Sequence, residues 1–336
     1  MSSTATITAL HPREALFAGE APFPVLPACE HIAGNERFIL KALELQAGMG
    51  RVFDVTCDCE DGAPAGHEAE HASMIAGILA SSRNAFGMAG ARIHDFTHPH
   101  WKRDVDILVE GAGESLAYLT LPKATGAAQV GQMIAYINEA ATRRGRHPIP
   151  VHVLVETHGA LHEAWEICAL EGVRSLAFGL FDFVSAHHGA IGAANMRSPG
   201  QFEHRLIVRA KAHIVACALA HGVVPAHNVS PGLDAPSEVF KDAWRARNEF
   251  GFLRMWSVHP SQVQPIIDAM KPELGEVAEA AEILLAAQRA DWGPIRHRGE
   301  LHDRATYRYF WELLQKARST GVSVPREAEA AFFPEA

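Results

Sequence analysis

The sequence has no apolar run approaching the roughly 20 residues needed to cross a bilayer, so nothing in it reads as a membrane span. It has no lysine- or arginine-rich block. The longest basic cluster is Arg143, Arg144, Arg146 and His147, just before Pro148. It reads as a helix end, where cations complement the dipole. With 30 Lys+Arg against 39 Asp+Glu, the formal charge is −9. Such a chain suits neither nucleic acid nor an anionic membrane surface. Cysteine is sparse and odd in number: Cys29, Cys57, Cys59, Cys168 and Cys217. That argues against a disulfide framework and for a reducing compartment. Cys57 and Cys59 are two residues apart in a strand-like run, which is not a zinc-ligand spacing. The first twenty residues lack the basic start and apolar core of a secretion signal, so a cytoplasmic location is expected. No G-x-G-x-x-G follows the first candidate strand, which disfavours an open doubly wound sheet. There is no internal repeat and no low-complexity segment.

What is present is regular alternation. Hydrophobic residues make up 48% of the 336 positions and charged residues 21%, enough for a sizeable core. Short apolar runs fall at 24–29, 51–57, 90–96, 117–122, 151–156, 175–179, 222–228 and 255–258. Amphipathic stretches lie between them, among them 36–48, 67–82, 127–144, 159–171, 200–221, 236–250 and 261–270. Strand and helix in alternation, with no tandem strands, imply parallel pairing through right-handed crossovers. Eight such units close a (β/α)₈ TIM barrel. The expected organisation is an N-terminal extension over 1–20, the barrel over 21–270, and a C-terminal helical extension or lid segment over 271–336. This last part reads as an extension rather than a second globular domain. Its second helix has Asp303 as a cap and Gly321 as a stop. DWGPIRHRGE before it reads as a loop, and the tail after Gly321 as partly extended. The apolar stretch TYRYFWELL (306–314) is expected to need cover from its own barrel or a neighbour's.

In a barrel of this type, reactive groups stand at the C-terminal ends of the strands. The residues that fall there are Asp58, Glu60 and Asp61, then Arg92 with His94 and Asp95, Lys123, Glu156 with Thr157, Asp182, Asn228 and His259. Carboxylates gathered around one mouth repel each other unless a cation sits among them. A hard divalent ion fits, because Mg²⁺ takes one or two carboxylates and completes its shell with waters and substrate oxygens. Arg92 and Lys123 supply further positive charge. Simpler roles are open for several: an ion pair for Glu156 or Arg92, a helix cap for Asp182, turn chemistry for Asp61 beside Gly62. The histidine clusters at His94, His98 and His100 and at His187 and His188 lack any H-E-x-x-H spacing.

The stretches CDCEDGA (57–63), ARIHD (91–95), LPKAT (121–125), VETHGAL (155–161), GLFDF (179–183) and SVHPSQV (257–263) together resemble the citrate lyase β-subunit and HpcH/HpaI aldolase family. The likeness runs over residues 24–270, and RGELHDRATYRYF resembles the C-terminal segment of the family's CoA-ester lyases. The resemblance implies a TIM-barrel lyase that breaks or forms a carbon–carbon bond β to a carboxylate or thioester carbonyl. It assigns Glu156 and Asp182 to Mg²⁺, with Mn²⁺ as a substitute. Arg92 and Glu156 then meet the substrate, and Asp58, Glu60 and Asp61 stand behind the metal and its waters. Arg92, Lys123 and Asp303 are the catalytic candidates, Asp303 reaching a neighbouring subunit's site in a homo-trimer or hexamer. Three departures from the family pattern surround the pocket: His158 after the Glu-Thr pair, Gly62 and Ala63 in the acidic motif, and His94 in place of asparagine.

Chemically, cleavage leaves an enolate whose oxyanion needs preorganised positive charge. It also needs a base for the hydroxyl proton and an acid for the enolate carbon. The first expectation is a lyase for an acyl-CoA such as malyl-CoA or citramalyl-CoA. The second is a CoA-independent aldolase that releases pyruvate or oxaloacetate from a hydroxy-oxo acid. The third is a non-catalytic subunit of a lyase complex.

Overall fold

The computed structural model describes residues 10–17, 19–20, 22–233 and 235–334. In chain order its elements are α1 (Pro12–Phe17), β1 (Cys29–Ala33), α2 (Glu36–Met49), β2 (Phe53–Asp58), α3 (Glu68–Ala80), β3 (Ala89–Arg92) and α4 (Trp101–Ala112). Next come β4 (Leu119–Leu121), α5 (Ala127–Arg143), β5 (Val151–Val155), α6 (His158–His162), α7 (Ala164–Cys168), β6 (Val173–Phe178) and α8 (Leu180–Ser185). The rest are α9 (Arg205–Ala220), β7 (Val224–His227), α10 (Pro236–Arg245), β8 (Arg254–Ser257), α11 (Pro260–Met270), α12 (Leu274–Arg289), β9 (Ile295–His297), β10 (Glu300–His302), α13 (Arg304–Ser319) and α14 (Arg326–Phe332). No helix among the described residues is long and apolar enough to cross a membrane.

Strands β1 to β8 pair in sequence order, all parallel, and β8 closes on β1, with Glu30 opposite Trp256. This is the (β/α)₈ barrel the alternation predicts. The first strand is displaced from the expected 24–29 to Cys29–Ala33. Pro24 and Pro27 lack the N–H a ladder needs, so pairing starts only beyond them.

Side chains alternate along a strand, and the barrel-facing set forms three levels. At the N-terminal end of the strands lie Glu30, Asp54, His152 and Arg254. Above them Leu154, Ala177, Ala226 and Trp256 make a small apolar cluster, with Ile32 against it. At the C-terminal rim stand Asp58, Arg92 and Glu156. The outward set, with Phe53, Val55, Ala91, Leu119, Val153 and Met255 fully buried, packs under the helices as the main core.

The chain divides into two compact units, residues 26–270 and residues 1–25 with 271–336. The second unit departs from the sequence reading in four ways. It has its own core of Leu16, Val277, Leu284, Tyr307, Trp311, Leu314 and Phe332, and so is more than an extension. The N-terminal segment belongs to it: the Leu16 carbonyl accepts from Arg308 Nη2 at 2.8 Å, and Leu16 is fully buried. The apolar face of α13 is therefore covered inside its own unit. The DWGPIRHRGE stretch is a hairpin of β9 and β10, and the tail carries α14 rather than extended chain.

Candidate active site

Each strand delivers its rim residue by a local device. Asp58 ends β2, where the backbone N–H groups of Glu60 and Gly62 donate to its two oxygens at 3.0 and 2.8 Å. A Cβ on Gly62 would lie 2.5 Å from Asp58 Oδ2, so glycine at this position permits the close approach. Arg92 ends β3 and grips Asp58 with both arms of its guanidinium, Nε to Oδ1 at 2.7 Å and Nη2 to Oδ2 at 2.6 Å. Its Nη1 lies 3.0 Å from Glu60 Oε2. Burial works against the Asp58 charge, but Arg92 and the two backbone donors hold its carboxyl below the usual range. Burial raises Glu60 even though Arg92 and Lys123 oppose the shift.

Lys123 follows β4 with φ of +46°, a left-handed conformation that side chains rarely adopt. Its backbone N–H donates to Glu156 Oε1 at 2.5 Å. Its ammonium bridges Glu60 Oε1 at 2.8 Å and Asp61 Oδ1 at 2.9 Å. Strained backbone of this kind collects at functional sites, and here it serves both ends of one residue. Asp61 is exposed, so the bridge sits at the mouth.

Glu156 follows β5 and is only 3% exposed. Thr157 behind it caps α6, accepting from Ala160 N at 3.0 Å and donating to Ala124 O at 2.6 Å. Opposite, Gly179 at the end of β6 leaves the space Glu156 needs: a Cβ there would lie 2.3 Å from Glu156 Oε2. Asp182, half-buried, sits in the first turn of α8. Burial and then the Asp182 charge push the Glu156 carboxyl up to about 8. A buried carboxylate raised by burial and by a second carboxylate is what a cation relieves. Among the described residues no group of three or more His, Cys, Asp or Glu side chains is arranged to hold a metal ion. A cation on Glu156 and Asp182 would therefore keep most of its shell for water and substrate, as Mg²⁺ does. The residues fit the ion.

The expected rim residues Asp58, Glu60, Asp61, Arg92, Lys123 and Glu156 thus form one linked network, with Asp182 coupled to it through Glu156. Asp303 lies in the other compact unit. It is exposed and caps α13, accepting from Ala305 N at 3.0 Å in a capping box with Thr306. His158 packs its ring against Phe183 and His187, at 5.5 and 4.7 Å between centroids. The sequence reading missed Asp104 in α4, which bonds His94 at 2.6 Å. It also missed the charged layer of Glu30, Asp54, His152 and Arg254. A signal existed: these four share the strand phase of Asp58, Glu156 and Trp256.

Residues 52–260 match the HpcH/HpaI aldolase/citrate lyase family. A citrate lyase structure from Burkholderia xenovorans is 51% identical, superposes with a TM-score of 0.84, and covers 96% of this chain and 100% of that one. An L-malyl-CoA/β-methylmalyl-CoA lyase of Cereibacter sphaeroides is 27% identical over 243 residues, 67% of this chain and 75% of the relative. The CitE protein of Mycobacterium tuberculosis, solved with magnesium, acetoacetate and coenzyme A, shares the fold at 20% identity. Its TM-score is 0.64, over 88% of this chain and 99% of that one. With its parallel barrel and the match over most of that barrel, the chain belongs to the HpcH/HpaI aldolase/citrate lyase family and is a carbon–carbon lyase.

Proposed function

We propose that the protein is a Mg²⁺-dependent lyase that cleaves or forms the carbon–carbon bond β to the thioester carbonyl of a hydroxyacyl-CoA of the malyl-CoA or citramalyl-CoA type. The observation that carries this reading is the Glu156–Asp182 pair, cleared by Gly179 and facing the Arg92 network. The malyl-CoA lyase relatives and the CoA complex of CitE supply the substrate class. Glu156 and Asp182 hold the ion, which when bound supplies Lewis-acid stabilisation of a developing oxyanion. Arg92 presents a buried guanidinium, held charged by Asp58 and Glu60, to the same oxygen or to the substrate carboxylate. Asp58 fixes Arg92 in orientation, and Glu60 and Asp61, tied by Lys123, order water at the mouth. The five free cysteines, all buried, suit the reducing cytoplasm.

The test is metal removal with two readouts. Protein dialysed exhaustively against EDTA should lose turnover of a thioester panel and regain it with Mg²⁺ or Mn²⁺. Glu156→Gln and Asp182→Asn should each cost at least ~10²-fold in turnover, the scale of a lost transition-state contact. Mg²⁺ should raise the Tm of the native protein by mass action but not that of Glu156→Gln. Full activity after dialysis, or cleavage of free hydroxy-oxo acids in preference to thioesters, overturns the reading.

The site is completed in a homo-trimer or hexamer by Asp303 of a neighbouring copy, acting as an acid or base. Capping α13 does not exhaust the lone pairs of an exposed carboxylate. Mixing inactive Glu156→Gln with inactive Asp303→Asn under subunit exchange should return activity, because some mixed pairs combine intact Glu156 with intact Asp303. Hybrids confirmed by mass spectrometry but inactive would leave Asp303 a helix cap only.

A further inference from the structure

The backbone ladder runs one residue past β3, Ile93 N donating to Thr120 O at 3.2 Å. His94 stands two residues past Arg92, just beyond the end of β3, at the C-terminal rim of the barrel and near Glu60. Its Nδ1 lies 2.6 Å from Asp104 Oδ2, and the same oxygen accepts the His94 backbone N–H at 3.0 Å. Asp104 is fully buried, and His94 is 8% exposed. One face of the imidazole stacks on His98 at 4.0 Å between centroids. The ring is thus held at an edge and on a face. A carboxylate on Nδ1 fixes the tautomer and leaves Nε2 as the free lone pair. Nε2 has no hydrogen-bond partner among the described residues and is not sealed from solvent. The groups that face this ring are Asp104 from α4, Glu60 from the loop after β2, Glu68 at the start of α3, and His98 after β3, with His100 packed against His98 in turn. Burial disfavours the imidazolium, but Asp104, Glu60 and Glu68 outweigh it and raise the proton affinity.

We propose that His94, oriented by Asp104, is the base that takes the substrate hydroxyl proton in cleavage and returns it in condensation. This rests on the lyase reading above. In cleavage the hydroxyl proton passes to Nε2 and the O–H electron pair becomes the new carbonyl bond. The carbon–carbon bond breaks and its pair forms the enolate. The enolate carbon takes a proton from a separate acid, Asp303 or solvent, and His94 gives its own to solvent, so charge and protons balance. The division of labour assigns the oxygen proton to His94 and the carbon proton elsewhere.

The test uses His94→Asn, which keeps a donor for Asp104 and removes the base, with His94→Gln as a second variant should the first fold poorly. Cleavage kcat should fall by ~10²–10⁴-fold, the range for a lost general base, with KM within a few-fold and Tm little changed. In the native enzyme kcat should fall at low pH as the imidazole protonates, and the variant should lose this acid limb. Exchange of the product thioester's α-protons in D₂O, followed by NMR, should persist, because it needs only the carbon acid. A native kcat, an unchanged acid limb, or loss of exchange together with cleavage overturns the assignment. A native protein that cleaves nothing in the panel overturns the lyase reading itself, which is a separate result.

Discussion

The two ends of the barrel interior bury the same chemistry to different effect. At the N-terminal end Arg254 pairs with Asp54, lies 3.2 Å from Glu30 Oε2, and shares that carboxylate with His152 Nδ1 at 3.4 Å. Thr56 donates to the other Glu30 oxygen at 2.7 Å. No side chain of this group is more than 4% exposed. At the rim, among the described residues, the arginine and lysine paired with the carboxylates of the group Asp58, Glu60, Asp61, Glu156 and Asp182 are Arg92 and Lys123, and the Lys123 and Asp61 side chains are 34% and 56% exposed. One end closes on its own charges. The other is left with carboxylates in excess, which a cation and a substrate can balance. The apolar layer of Leu154, Ala177, Ala226 and Trp256 separates them.

The comparison is broken most directly at its two arginines. Arg254→Met leaves two buried carboxylates without a cation. Uncompensated buried charge of this kind costs about 3–5 kcal/mol, read by urea unfolding. Activity per folded molecule should be unaffected. Arg92→Lys should do the opposite. It keeps a charge beside Asp58 but loses the planar fork, so kcat/KM should fall by at least ~10²-fold with a small change in Tm. If Arg254→Met unfolds at the native urea midpoint, or Arg92→Lys is near native in turnover, the two ends do not divide stability from chemistry as described.

The rim was legible in the sequence because its residues fall at or just past the ends of apolar runs, or, for Arg92, inside one, where the barrel architecture itself predicts chemistry. Glu156 after VHVLV and Asp182 after GLF stand out for that reason. The lower layer was not, because Glu30 and Asp54 sit inside strands, and polar residues there blur the apolar signal. Glu30 and His31 helped hide β1, and the apolar PVLPAC drew the strand four or five residues early. Asp104 lies in the first turn of α4 with no motif around it to mark it, and only the fold brings it to His94. In the second unit, Leu16 and Trp311 lie almost 300 residues apart, a pairing that no local pattern encodes. The departures at Gly62 and His94 make sense only with their partners in view, Asp58 and Asp104.

The smallest effect expected from the comparison is a pH slope, and it belongs to the closed end. Burial, and then the Glu30 charge, push the Asp54 carboxyl up to about 7 despite Arg254. Burial also works against Glu30, but Arg254, His152 and Thr56 bring it to about 2. Arg254 therefore holds one full carboxylate at neutral pH, and Asp54 keeps a share of a proton. The folded state retains this proton where the unfolded chain has released it. Its contribution is complete below the ordinary aspartate value and is lost as pH rises through about 7. Asp54→Asn mimics the protonated form and has no such slope. It gives up a charge-assisted bond to Arg254, so it should start below the native protein at pH 5. The gap should then close by about 2–3 kcal/mol by pH 9, from about 1.4 kcal/mol for each of the two pH units between 5 and 7, read as the converging Tm of the two proteins. Glu156 titrates in both proteins and cancels in the difference. Glu30→Gln should show the contrasting behaviour, because Glu30 stabilises above its ordinary value and that stability is lost only as pH falls through about 2. Its own titration adds almost no slope between pH 5 and 9, and loss of its charge should move the Asp54 slope to lower pH. Parallel Tm profiles for Asp54→Asn and the native protein would mean that Asp54 is ionised throughout and that the closed end carries an unbalanced charge, as the rim does.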